Sequence, residues 1–190
     1  TLGGLPGESG VDFRLHLVGR EEHHQVKRAF GSKGEWTIAA LDSEKVLQDF
    51  KQRLVDPKVH CYMVSGIPAV QLGYLAMRAR KSSDFATFEA GYLTSEYPDW
   101  FDGLVNRWGL LREECWLRLQ RIHTRPFDEE DQASCCLTML RSMVVKDAEH
   151  AWTHLRDFCF DHVHQRVTAS EVWQWLASRG IHRQIVGDDP

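Results

Sequence analysis

Glu89 stands inside the apolar run Phe85–Thr94, and a carboxylate in such company is equipped to move a proton. Half-burial raises a carboxyl pKa toward the range in which a general base works. The same side chain also suits a solvent-facing partner for Arg78 or Arg80, an ion pair of little worth. Tyr92 and Tyr97 are candidate general acids, but exposed tyrosines ionise near pH ~10, so packing is the default for both. Asp131 and Ser134 stand where a helix opens, and either one caps its first turn.

The chain has ten histidines. His150, His154, Asp157 and Asp161 fall on one helical face, with His162 and His164 close by, and histidines four apart can chelate zinc. Ala151, Trp152, Leu155, Phe158 and Cys159 make the opposing apolar stripe, which leaves the histidine face to water. No metal site is therefore expected. His23-His24 reads as a surface pair. The five cysteines form no C-x-x-C pair, and Cys135 and Cys136 are adjacent. That usage predicts reduced, mostly buried thiols and a cytoplasmic location.

These residues need elements to hold them. Thr1–Gly10, with four glycines and a proline, reads as a flexible leader. Phe13–Leu17 alternates like a half-buried strand, and Arg20–Phe30 is helix-permissive. Asp42 is placed to cap a helix carrying Val46, Leu47, Phe50 and Leu54. A hairpin follows, with strands His60–Val64 and Val70–Ala79 about a Ser65–Pro68 turn, then a long strand Phe85–Thr94. Asp99 can cap a helix bearing Trp100, Leu104, Trp108, Leu111 and Cys115. Leu117–Arg125 reads as a strand, and the chain from about Asp128 reads as helical. Thr168-Ala169-Ser170-Glu171 is a capping box for a last helix that stops at Gly180. The expected fold class is α/β (α+β), with a mixed, mainly antiparallel sheet flanked by helices.

Bulk properties narrow the function. The 190 residues suit one ordinary domain, and 43% hydrophobic and 26% charged residues are normal for a globular protein. The net charge of -4 gives no basic surplus for nucleic acid. Arg78, Arg80 and Lys81 are the densest basic cluster and read as solvated surface. The C-terminal helices lack a lysine-rich recognition face. No apolar stretch is long enough to cross a bilayer.

The element order resembles that of the GNAT acetyltransferases, and short motifs run in the same order. Phe13–Phe30 is similar to the family's first strand and helix. Val64-Ser65-Gly66-Ile67-Pro68 with Leu72-Gly73-Tyr74-Leu75 resembles its G-x-P hairpin. Glu89-Ala90-Gly91-Tyr92 and Glu96-Tyr97 resemble segments of ribosomal-protein-type N-terminal acetyltransferases, as do Leu119–Ile122 and Asp131–Ser134. The resemblance covers residues 11–143 and leaves 144–190 as a helical extension.

It implies acetyl-CoA or another acyl thioester as donor and an amine-bearing substrate as acceptor. Glu89 would be the base, Tyr92 the acid, and Ser134 the partner of the leaving thiolate. Leu93, Thr94, Asp131 and Ser134 would line the coenzyme. Where the family places its glycine-rich pyrophosphate loop, this chain has Pro98-Asp99-Trp100-Phe101-Asp102-Gly103. Pro98 has no N–H, and Asp99 and Asp102 repel a phosphate. The sequence therefore supports three readings: an N-acyltransferase with altered or lost coenzyme A binding, a non-catalytic module of the same fold that binds a protein partner, and a helical regulatory domain.

Overall fold

The computed structural model of the chain describes residues 13–27, 34–126, 129–143, 147–162 and 165–183. The expected leader, 1–10, lies outside them, as does the end of the segment expected as a helix over 20–30. Four strands form one sheet in the order β1 (Phe13–Leu17), β2 (Arg20–Lys27), β3 (Val59–Ser65) and β4 (Ile122–Pro126). The helices are α1 (Ile38–Ser43) and α2 (Val46–Arg53) between β2 and β3. Between β3 and β4 run α3 (Val70–Lys81), α4 (Phe85–Thr87), α5 (Tyr97–Trp108) and α6 (Arg112–Leu119). After the sheet come α7 (Glu129–Met143), α8 (Ala148–Asp161) and α9 (Ala169–Ala177). The fold class is thus mixed α/β with helices at the C-terminal end, as the patterning predicts.

The strand pairing differs from the expected mainly antiparallel sheet. β1 and β2 are antiparallel about a turn at Gly19, whose φ of 80° favours glycine. β2–β3 and β3–β4 are both parallel. The difference comes from two segments. Arg20–Lys27 is a strand, not a helix. On one face Glu22 and His24 meet Tyr62 of β3; on the other Glu21 meets His16 of β1 and His23 meets Arg53 of α2. Val70–Lys81 is a helix, not a returning hairpin strand. Leu72, Leu75, Ala76 and Ala79 are all buried at helical spacing. With those residues helical, the chain must return to the sheet by a crossover, which makes the pairing parallel.

The run Phe85–Thr94 also departs from the expected strand. Asp84 caps α4 by accepting a bond from the Thr87 N–H at 2.7 Å. The chain then continues as one π-helical turn, Phe88–Tyr92, in which Phe88 is buried and Glu89 faces outward.

The chain divides into two compact units, and the described residues 13–126 fall in one and 129–183 in the other. In the first, Cys61, Met63 and Ile122 of the sheet share a core with Leu41, Leu47 and Phe50, Leu72 and Leu75, Phe101 and Leu104, and Cys115 and Leu119. All of these sheet residues come from one face, so the helices cover that face. Each deeply buried indole in this core finds an acceptor, as its desolvation requires. Trp36 donates to Ser65 Oγ at 2.8 Å, Trp108 to the Leu47 carbonyl at 2.9 Å and Trp116 to Ser82 Oγ at 2.9 Å. The Arg121 guanidinium donates to the carbonyls of Leu54, Asp56 and Val59, which ties the end of α2 to the entry of β3 and β4. In the second unit, Leu140, Ala148, Ala151, Leu176 and Ile181 form a separate core. There α9 carries the expected capping box, with Thr168 and Glu171 bonded reciprocally.

Two of the five thiols, Cys61 and Cys115, are buried, while Cys135 and Cys159 are exposed. The expectation of mostly buried thiols thus fails on α7 and α8, where the small core leaves one helix face to water.

Helix α3 lies close on β4. A Cβ at Gly73 would stand 2.6 Å from Thr124 Oγ1. Overpacking costs ~1–3 kcal/mol, against a helix-propensity gain of ~1 kcal/mol for alanine. Gly73→Ala is therefore expected to lower unfolding free energy by about 1 kcal/mol in urea titration. Adding Thr124→Ala removes the obstructing oxygen and is expected to restore it. An unchanged midpoint in the single variant would contradict this packing.

Candidate functional site

β3 is a short, almost wholly buried strand, and it ends at Ser65 in a Gly66-Ile67-Pro68 turn that feeds directly into α3. A cavity of about 190 Å³ opens there, at the carboxyl ends of β3 and β4. Met63, Ile67, Pro68 and Tyr74 give it apolar walls, and Ser65, Thr124 and Arg125 supply its polar lining. Trp36 fixes the turn, donating from Nε1 to Ser65 Oγ and from its backbone N–H to the Pro68 carbonyl, both at 2.8 Å.

Among the described residues, none that lines the cavity is acidic. The first turn of α3 borders it, and Ala69 at the N-cap offers no side chain to the free N–H groups. The partial positive charge of the helix end is therefore uncompensated there. Arg125 reaches the lining from β4, but strand alternation sends its side chain to the opposite sheet face, where Tyr62 lies. Its guanidinium lies 4.8 Å from the centre of the Tyr62 ring and makes no ion pair among the described residues. Ser65 is 3% exposed, and its oxygen accepts from Trp36 Nε1 and, at 3.3 Å, from the Ile67 N–H. Both lone pairs are then spent, and the hydroxyl proton has no acceptor among the described residues.

The sheet face away from the helical core holds a second polar group. The register aligns Phe13, His24, Tyr62 and His123 in one row across all four strands. Their rings stack at 4.3, 4.5 and 4.4 Å between successive centres. Glu22 accepts from Tyr62 Oη at 3.0 Å and from Arg20 at 2.6 Å, and its other oxygen lies 3.2 Å from His24 Nε2. Burial acts to raise the Glu22 pKa, but the bonds from His24 and Tyr62 and the Arg20 charge outweigh it and hold the carboxyl below its usual value. Burial lowers His24 and His60. His123, whose Nε2 is 3.2 Å from His60 Nδ1, is driven down to about 4 by burial, with Arg80, His60 and Arg125 adding to the effect. These imidazoles are neutral at neutral pH, and Glu22 is fully engaged. The network holds the sheet together more than it offers a reactive group.

The residues singled out by sequence lie elsewhere. Glu89 is exposed, and its Oε1 accepts from Arg112 Nε at 2.8 Å, while Asp102 binds another nitrogen of the same guanidinium. Arg112 also lies over the Phe101 ring at 4.9 Å, so Asp102 serves this ion-pair cluster. Tyr92 packs against the core and donates to the Lys81 carbonyl at 3.3 Å. Leu93 follows the π turn as its C-cap, and Thr94 is exposed. Asp131 and Ser134 are exposed on α7, in the other unit. Their helix begins at Glu129, so neither caps it; Ser134 lends only its carbonyl, to Thr138 Oγ1. Asp99 lies in the first turn of α5 rather than at its cap, which is Glu96.

His150 and His154 bring their Nε2 atoms to 2.8 Å. No group of three metal-ligating side chains occurs among the described residues. His23 and His24, expected at the surface, are both buried. The sequence patterning places Ser65 in a turn and Arg125 at a strand end and assigns no functional role to either of them or to Thr124. The available signal was a short apolar strand, a Gly-x-Pro turn and an i, i+3, i+4, i+7 stripe in succession, which together spell strand–turn–helix.

Comparison with protein-family models finds no match, and comparisons with curated proteins and with solved structures find none either.

The His123 shift has a measurable consequence. The unfolded chain takes up this proton near the ordinary value of 6.5, the folded chain only near 4. Stability present above the first value is therefore lost as pH falls toward the second. His123→Phe keeps a ring for Tyr62 to stack on and removes the titration. Urea midpoints measured from pH 7 to 4 are expected to fall less steeply in the variant than in the parent. Parallel slopes would contradict the assignment.

Proposed function

We propose that the unit spanning 13–126 is a small-molecule-binding module whose ligand sits at the carboxyl ends of β3 and β4. In open sheets with parallel strands, ligands bind beyond the carboxyl ends, where the next helix begins. The observation that carries the reading is the cavity itself. It has apolar walls with a few convergent polar groups, the usual composition of a ligand site. It opens at a turn fixed by two Trp36 hydrogen bonds, so it is formed in advance of any ligand.

Binding is favoured over catalysis by the lining. Among the described residues, the cavity lining has no carboxylate, cysteine or histidine to act as general base or strong nucleophile. An acyl-transfer role for Glu89 gains no support from its surroundings, because that carboxylate is exposed and held by Arg112.

The test is a screen of small aryl and alkyl fragments by ¹H–¹⁵N correlation spectra of the whole chain. Perturbed amides are expected to cluster at 67–73 and 124–125. Perturbations confined to other surfaces, or none at all, would contradict the module.

A further inference from the structure

We infer that His150 and His154 of α8 form a two-imidazole site for a divalent transition-metal ion of right-angled coordination. The site belongs to the unit that holds residues 129–183 and does not rest on the cavity in the other unit.

Convergence of the two rings is the first observation. The histidines stand one helical turn apart, with ring centres 4.3 Å apart and Nε2 atoms only 2.8 Å apart. Two neutral imidazoles keep that distance when one Nε2–H donates to the lone pair of the other. A spacing of four on one helix also lets both rings serve one metal ion. The ion takes a lone pair from each Nε2, and the ring that had donated carries its proton on Nδ1 instead. Both rings stay neutral through the exchange, as metal ligation by imidazole requires.

The span between the nitrogens selects the ion. An imidazole nitrogen sits ~2.0–2.1 Å from such a metal, so two nitrogens at a right angle lie ~2.9 Å apart, and two at the tetrahedral angle ~3.3–3.4 Å apart. The observed 2.8 Å fits the right angle. Square or octahedral coordination suits copper(II) and nickel(II), whereas zinc favours the tetrahedron.

The surroundings hold the rings and admit the ion. Asp147 caps α8 by accepting from the His150 N–H at 3.0 Å, which places a carboxylate in the turn that carries the first ligand. The His154 ring meets Trp175 of α9 edge-on at 5.7 Å, and Trp175 meets Phe158 in the same way at 5.2 Å, so the second ligand leans on a packed aromatic pair. His150 is exposed, and a hydrated ion reaches it directly. No third ligating side chain joins the pair among the described residues. Water therefore fills the other positions, and the site is weaker than closed centres with four protein ligands.

The test titrates the whole chain with nickel, zinc and magnesium chlorides near neutral pH, read by ¹H–¹⁵N correlation spectra. The parent is compared with His150→Gln and His154→Gln, which keep helix propensity and remove the ring nitrogen. His182→Gln, at an exposed histidine elsewhere in the unit, is the control. Nickel is expected to perturb the amides of 147–157 and the Trp175 indole before any others. Its affinity is expected to fall about tenfold or more in either α8 variant, because the second ligand no longer binds intramolecularly, and to be unchanged in the control. Zinc is expected to bind the same amides more weakly, and magnesium, which prefers oxygen ligands, to leave them unmoved. Nickel affinity unchanged in either α8 variant, or first perturbations at other histidines in the parent, overturns the site. Zinc binding these amides more tightly than nickel overturns the right-angled assignment.

Discussion

The Trp36 indole holds the turn that leaves β3, and the architecture of the first unit follows from that grip. Its Nε1–H reaches Ser65 at the last position of the strand, and its backbone N–H reaches the Pro68 carbonyl three residues on. A buried indole must find an acceptor, so this bond is demanded by the burial of Trp36 as much as by the turn. The result is a fixed exit angle from β3, a fixed start for α3, and a space between them that the apolar walls keep open. At the other end of the same strands, Arg121 binds three carbonyls and ties β4 to the α2–β3 connection. The parallel strands are thus pinned at both ends, and the cavity lies at only one of them.

The two faces of the sheet do different work. The face toward the helices is ordinary close packing, in which Cys61, Met63 and Ile122 share a core with five helices. The other face is a row of four stacked rings and a carboxylate with three donors around it. Such a network stabilises when every member is satisfied, and it is the place most sensitive to proton concentration, because burial disfavours the charged form of its imidazoles. The two regions meet at the end of β4, where Thr124 faces the cavity and the next residue, Arg125, lies over Tyr62 in the ring row.

The sequence made the mixed α/β class readable, and it did so most clearly where one signal spoke alone. The stripe Val46, Leu47, Phe50, Leu54 and the capping box at Thr168 fit only a helix, and β3 reads as a strand because it is a short apolar run between turn signals. α3 was hidden because Val70-Gln71-Leu72-Gly73-Tyr74 alternates as a strand does, with a glycine that suggests a hairpin. Only the pairing of Leu72 with Leu75, Ala76 and Ala79 betrays the longer period. Gly73 itself is there for the approach of Thr124, a contact 51 residues away in sequence that no local pattern reports. β2 was hidden for the complementary reason. Arg-Glu-Glu-His-His-Gln is polar throughout, and it is a central strand because its partners, Tyr62 above all, come from distant chain. The site was less legible than the fold, since a donor counts only once its neighbours have spent their acceptors, and Glu89 drew attention through an apolar run that turned out to be a helical turn.

The central claim is that the space at the carboxyl ends of β3 and β4 is a ligand cavity. Amide hydrogen exchange of Ile67 and Val70, which line it, measured with and without a saturating fragment from the screen, tests it most directly. Exchange at these amides is predicted to slow while the amides of α5 and α6 are unchanged. Equal rates with and without the fragment, or slowing spread evenly over the unit, would contradict the claim.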